Sequence, residues 1–162
     1  MYTDELIQEL INCPKIVVDA PKEMKEGRSG FLKKSFTFKS VDSTYSFSGF
    51  ITKNLTFAEN FSIGLTYSSK DDKGRTTLLR CNGPHGMTKE LHHAACHHIH
   101  IVTAEDVNNG IKVERNIKQT NGYSTLEDAV QFFVKYINIV PTDREKYFPP
   151  PMGQTDLFNE AK

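Results

Sequence analysis

The sequence predicts an α+β fold, in which an antiparallel meander of about five strands is packed by an N-terminal and a C-terminal helix. Three observations lead there. Between residues 31 and 103 short runs alternate apolar and polar side chains, with turn residues between them. Residues 126–137 carry Leu126, Ala129, Val130, Phe133, Val134 and Ile137 as one apolar stripe. A helix with a single apolar face must cover something, and the alternating strands supply one face of a sheet.

The elements follow in order. Thr3, Asp4 and Glu5 offer capping side chains, Leu6, Ile7, Leu10 and Ile11 fall at helical spacing, and Pro14 stops the helix. Residues 15–19 read as a strand or extended lead, and 21–30 as a charged connection. Strands are predicted over 31–40, 44–52, 60–69 and 75–81, with turns at 41–43, 54–59 and 71–74. A fifth strand, 96–103, follows a loop from 82 to 95 that is too long for a tight hairpin. Ser124-Thr125-Leu126-Glu127 is a capping box opening the C-terminal helix.

The chain divides into an α+β domain over 1–140 and a flexible tail over 141–162, where three consecutive prolines and a glycine change the composition. With 20 Lys+Arg against 20 Asp+Glu in 162 residues, a protein bound to nucleic acid by bulk charge is disfavoured, although a groove-sized basic patch is not. No apolar run spans a bilayer and no signal peptide opens the chain, so a cytoplasmic location is expected, with no membrane partner. Cys13, Cys81 and Cys96 are an odd number and read as free thiols. Phosphate loops, nucleophile elbows, His-Glu-x-x-His helices and Cys-x-x-Cys pairs are absent from the sequence.

Chemistry concentrates in the histidines, all six of which lie between His85 and His100. On a strand, Cys96, His98 and His100 share one face and His97, Ile99 and Ile101 the other. Three readings fit. Zinc could be held by Cys81, His85, Cys96 and His98 or His100, although the spacing matches no common ribbon or finger. Histidines beside Arg80 could instead do metal-independent acid–base work on a phosphodiester. The third reading is packing and turn capping alone.

The block Arg80-Cys81-Asn82-Gly83-Pro84-His85, an insert, His98-x-His100 on a strand, and a helix beginning Thr125-Leu126-Glu127-Asp128-Ala129 resemble an uncharacterised bacterial and prophage family of small proteins. More distantly, the order Arg, His, His-x-His is similar to TumE-type toxins of toxin–antitoxin pairs. The resemblance implies an RNA-directed or growth-inhibiting activity with Arg80, His85, His98 and His100 as catalytic residues, and an antitoxin as a partner. His92, His93 and His97 are extra to that pattern.

In the tail, Gln154-Thr155-Asp156-Leu157-Phe158 resembles the peptide by which bacterial replication and repair proteins dock on the replicative sliding clamp. In such a motif Leu157 and Phe158 fill an apolar cleft, Gln154 makes polar contacts and Asp156 fixes orientation. Alternatively, Leu157 and Phe158 fold back on the domain as an anchor. The strand aromatics Phe36, Phe38, Tyr45, Phe47, Phe50, Phe57, Phe61 and Tyr67 fit core packing, with a base-stacking platform as the lesser reading.

The combined expectation is a small bacterial or phage-encoded protein that grips the sliding clamp with its tail and interferes with host replication or growth. Its histidine site would be nuclease-like, with RNA or DNA as substrate. The alternative is a toxin-type ribonuclease whose tail is only structural.

Overall fold

The computed structural model describes residues 1–70, 74–85 and 95–152. Its class is α+β, as the sequence predicts. In chain order the elements are α1 (Asp4–Asn12), β1 (Lys15–Asp19), β2 (Lys25–Glu26), β3 (Phe31–Ser40), β4 (Ser46–Asn54), β5 (Phe61–Ser68) and β6 (Arg75–Asn82). There follow β7 (His98–Ile101), α2 (Ala104–Asn108), β8 (Ile117–Gln119), α3 (Leu126–Tyr136) and α4 (Pro141–Tyr147).

The sheet is an antiparallel meander in the order β1-β3-β4-β5-β6-β7-β8, with β2 beside β3. Among the described residues it has eight strands rather than about five. Of the additional strands, β2 has two residues and β8 three, all exposed, so neither carries an alternation to read. The predicted strand over 96–103 shortens to His98–Ile101, because Thr103 turns to cap α2 by accepting from the Asp106 amide.

Strand alternation gives the sheet two unlike faces. On one, Phe36, Phe38, Phe47, Ile51, Ile63, Leu65, Leu79 and Cys81 are at most 3% exposed and form one core with Ile7, Leu10 and Ile11 of α1 and Ala129, Phe133 and Val134 of α3. Each large apolar side chain so buried contributes about 1.5–3 kcal/mol. Packing is close enough that a β-carbon on Gly49 would stand 1.9 Å from Cε2 of Phe36. The opposite face is polar: Lys33, Ser35 and Thr37 of β3, Ser48, Phe50 and Thr52 of β4, Ser62 and Thr66 of β5, and Arg80, Asn82, His98 and His100 beyond them.

One charged group lies in the apolar layer. Lys15 is 0% exposed, and its Nζ donates to the carbonyls of Ile11 at 2.7 Å, Cys13 at 2.9 Å and Ile137 at 2.9 Å. Those carbonyls come from the ends of α1 and α3, where the helices leave acceptors unpaired and a cation is favoured. Lys15 therefore ties both helices to β1.

The tail begins later than the sequence predicts. Pro141 starts α4 rather than ending order, since its fixed φ and missing N–H suit a first helical position. Asp143 then accepts from the Val17 amide at 2.7 Å, and Phe148 is 5% exposed with its ring 5.4 Å from that of Phe36. The domain thus extends through Phe148, and the exposed Pro149-Pro150-Pro151 follows. The motif residues Gln154, Asp156, Leu157 and Phe158 lie outside the described residues. Among the described residues no helix is long and apolar enough to cross a membrane.

Candidate active site at the histidine ladder

The register of β5, β6 and β7 assembles the site on the polar face. Gly64, Arg80 and His100 form one cross-strand row, and Ser62, Asn82 and His98 form the next. His85 follows three residues after β6, and its ring centroid lies 5.1 Å from that of His98, which in turn lies 4.9 Å from that of His100. The three predicted catalytic histidines thus follow one another ring to ring, with Arg80 paired opposite the last of them. Tyr123 fastens this part of the sheet from the core side, its hydroxyl 2.8 Å from the His98 carbonyl and 3.1 Å from that of Asn82.

Hydrogen bonds fix the tautomers of the two strand histidines. His98 Nδ1 lies 2.7 Å from the Cys96 carbonyl and His100 Nδ1 lies 3.2 Å from the Asn116 carbonyl. A carbonyl can only accept, so both Nδ1 atoms carry protons and both Nε2 atoms present lone pairs in the neutral rings. The His98 lone pair receives two groups, Asn82 Nδ2 at 3.3 Å and His85 Nε2 at 3.3 Å. Asn82 is 7% exposed, and its Oδ1, together with Ser62 Oγ in the same row, has no hydrogen-bond partner among the described residues. A buried acceptor and a buried hydroxyl left so are the places where a ligand's polar hydrogens gain most.

Burial divides the labour among the histidines. His98 and His100 are 0% and 2% exposed, whereas His85 is exposed. Of the expected catalytic histidines, His85 is the member that meets solvent, and His98 stands behind it. His100 is held from the far side by the segment that carries Asn116. Asn116 Nδ2 donates to Oδ2 of the buried Asp106, whose Oδ1 accepts from Arg115 at 3.2 Å. Burial pushes the Asp106 carboxyl up, but the hydrogen bonds from Asn116, Thr103 and Arg115, with the Arg115 charge, outweigh it and hold the group below the usual carboxylate range. Asp106, Asn116 and Asn82 are site residues that sequence reasoning missed. Asn82 meets His98 through cross-strand register, Asn116 meets His100 through a chain reversal, and Asp106 acts through Asn116, none of which a local pattern records.

The zinc set fails on strand alternation. Cys81 pairs with Ile99, faces the core and is 0% exposed, so the sheet separates it from His98 and His100. Desolvation pushes its thiol up to about 12, which disfavours the thiolate a metal requires. Among the described residues no group of three or more His, Cys, Asp or Glu side chains could hold a metal ion. Cys96 contributes its backbone carbonyl to His98 rather than a contact of its sulfur. His97 packs on the other side, its ring 5.6 Å from Tyr123, while His92 and His93 lie outside the described residues.

No protein-family profile, curated protein or solved structure matches the chain. Function is therefore read from the chemistry of the site itself.

Proposed function

We propose that this chain is a metal-independent ribonuclease whose acid–base group is the His85–His98 pair. The observation that carries the reading is the 3.3 Å contact between the two Nε2 atoms, one ring exposed and the other buried in a fixed tautomer.

The chemistry runs as follows. With Nδ1 of His98 protonated, its Nε2 accepts the Nε2 proton of His85. His85 Nδ1, on the far side of that contact, takes the proton of a ribose 2′-hydroxyl as the Nε2 proton passes to His98. The 2′-oxygen attacks phosphorus, the P–O5′ bond breaks, and the same relay run backwards protonates the departing 5′-oxygen. The products are a 2′,3′-cyclic phosphate and a 5′-hydroxyl, and the pair returns to its starting protonation. Arg80 offsets the charge that builds on the non-bridging oxygens, and Asn82 Oδ1 accepts from a ribose hydroxyl. His100, edge-on to His98, is a positioning residue. The relay itself calls on no metal ion, since the proton moves between the two ring nitrogens.

Single-stranded RNA incubated with the protein in excess chelator tests this. Cleavage by the parent that His98→Ala abolishes is the expected result. Cleavage that needs added zinc, or that persists undiminished in a His85→Ala, His98→Ala double variant, would overturn it.

A second reading concerns recruitment. The sequence Gln154-Thr155-Asp156-Leu157-Phe158, placed after the exposed prolines that leave the domain, favours docking on a bacterial sliding clamp. Such a tail raises the enzyme's effective concentration at the replisome and so couples it to inhibition of host growth.

A further inference from the structure

Of the strand aromatics, Phe36, Phe38, Phe47 and Phe61 belong to the core, but Phe50 does not. It lies half-buried on the polar face in the row Ser35, Phe50, Gly64, Arg80, His100. Its ring crosses over Gly64, where a β-carbon would stand 2.3 Å from Phe50 Cε1, and the Arg80 guanidinium carbon is 5.4 Å from the ring centroid. The glycine thus leaves room for the ring to reach across β5, where the Arg80 guanidinium stands over it. Hydroxyls surround it: Ser48 and Thr52 along β4 and Thr66 on β5.

Beside Arg80 opens a cavity of about 480 Å³, lined by Arg75, Thr77, Arg80, Lys112, Val102 and Val113 among others. Three cations and no carboxylate stand among its described lining residues. Arg75 is held toward the polar face by a 2.9 Å hydrogen bond to Ser48 Oγ. An aromatic ring next to a cationic, hydroxyl-lined hollow matches the chemistry of a nucleotide, which has an apolar π-face and an anionic linkage.

We infer that Phe50, lying over Gly64, is a stacking platform for a base of single-stranded RNA, with the neighbouring phosphates held in the cavity of Arg75, Arg80 and Lys112. This deepens the ribonuclease reading and rests on it for the choice of RNA over another polyanion. The path delivers the linkage beside Arg80 to the histidine ladder, one strand further on. Charge complementarity decides the occupant: among the described strand residues of this face Lys33, Lys39, Arg75 and Arg80 stand against Asp19, and the buried Asp106 behind His100 is already met by Arg115.

The test separates binding from cleavage by using a fluorescein-labelled 2′-O-methyl oligoadenylate, which cannot be cut through its 2′-oxygen. Fluorescence polarisation is read for the full chain, Phe50→Tyr, Phe50→Leu, Phe50→Ala, and Arg75→Ala with Lys112→Ala, with thermal melts verifying that each variant folds. Binding by the parent and by Phe50→Tyr, weakened about tenfold in Phe50→Leu and Phe50→Ala, is expected, since both variants remove the aromatic face on which a base stacks. The combined Arg75→Ala, Lys112→Ala variant should lower the salt dependence by about two phosphate contacts. Parent-like binding by Phe50→Ala, absence of binding by the parent, or a homodimer that buries Phe50 and competes with the oligonucleotide would each overturn the platform. Binding with no cleavage of unmodified RNA would leave the platform standing and remove the ribonuclease reading alone.

Discussion

The Nε2 atoms of His85 and His98, thirteen positions apart in the chain, meet at 3.3 Å. One ring is exposed and the other 0% exposed, so the contact joins solvent to the interior of the sheet through two imidazoles. Groups that act as one relay lose function together. His85→Ala and His98→Ala should each lower kcat/KM for RNA by about a hundredfold or more, and the double variant should be no worse than the poorer single one. Losses that multiply in the double variant would show two independent residues.

Lys15 gives a stability prediction. Replacing it with Met keeps the stem but leaves the carbonyls of Ile11, Cys13 and Ile137 without their donor, at the ends of both covering helices. The variant should lose about 3 kcal/mol, the scale for orphaned buried acceptors. Urea unfolding measures it, and a loss below about 1 kcal/mol would mean that water takes over the ammonium's role.

Alkaline behaviour follows from Cys81. Burial pushes its thiol from 9.0 up to about 12, so the folded protein keeps a proton that the unfolded chain releases. Its contribution is fully present below pH 9 and is lost as pH rises from 9 towards 12. Lys15, drawn from 10.5 down to about 8 by desolvation, acts in the opposite sense between those values, so the parent alone mixes the two. Cys81→Ala isolates the thiol: whatever its absolute stability, its loss of stability between pH 9 and 11 should be shallower than the parent's in parallel urea titrations. Identical slopes would contradict the assignment.

Removal of residues 153–162 should abolish binding to a bacterial sliding clamp and leave the melting temperature and RNA cleavage unchanged, because the described domain closes with α4 and the buried Phe148. Calorimetric titration of the full chain beside Leu157→Ala, Phe158→Ala measures the contact. A fall in melting temperature on removing the tail would show instead that it packs on the domain.

Much of the fold was legible because its signals are local. The run 31–40 alternates through Phe36 and Phe38 and is found as β3 with those bounds, and α3 opens one residue later than the Ser124–Glu127 box places it, with Thr125 as the cap accepting from the Asp128 amide. What was hidden depends on contacts distant in sequence. Nothing in Ile117-Lys118-Gln119 marks a strand until β7 lies beside it, and Pro141 reads as a stop until Asp143 and Phe148 find Val17 and Phe36. In the site, alternation correctly put His98 and His100 on one face. It could not reveal that they are buried behind His85, that Cys81 faces the other way, or that Asn82 offers its amide to His98, since each depends on cross-strand register.

The most direct test uses two oligonucleotides that differ by one atom, an RNA and the same strand with a single 2′-deoxyribose at the cut site, each treated with the protein in chelator. Cleavage of the RNA to a 2′,3′-cyclic phosphate and a 5′-hydroxyl, with the deoxy-substituted position left intact, is the expected result. Equal cleavage of both strands, or of neither, would contradict a His85–His98 relay acting on the ribose hydroxyl.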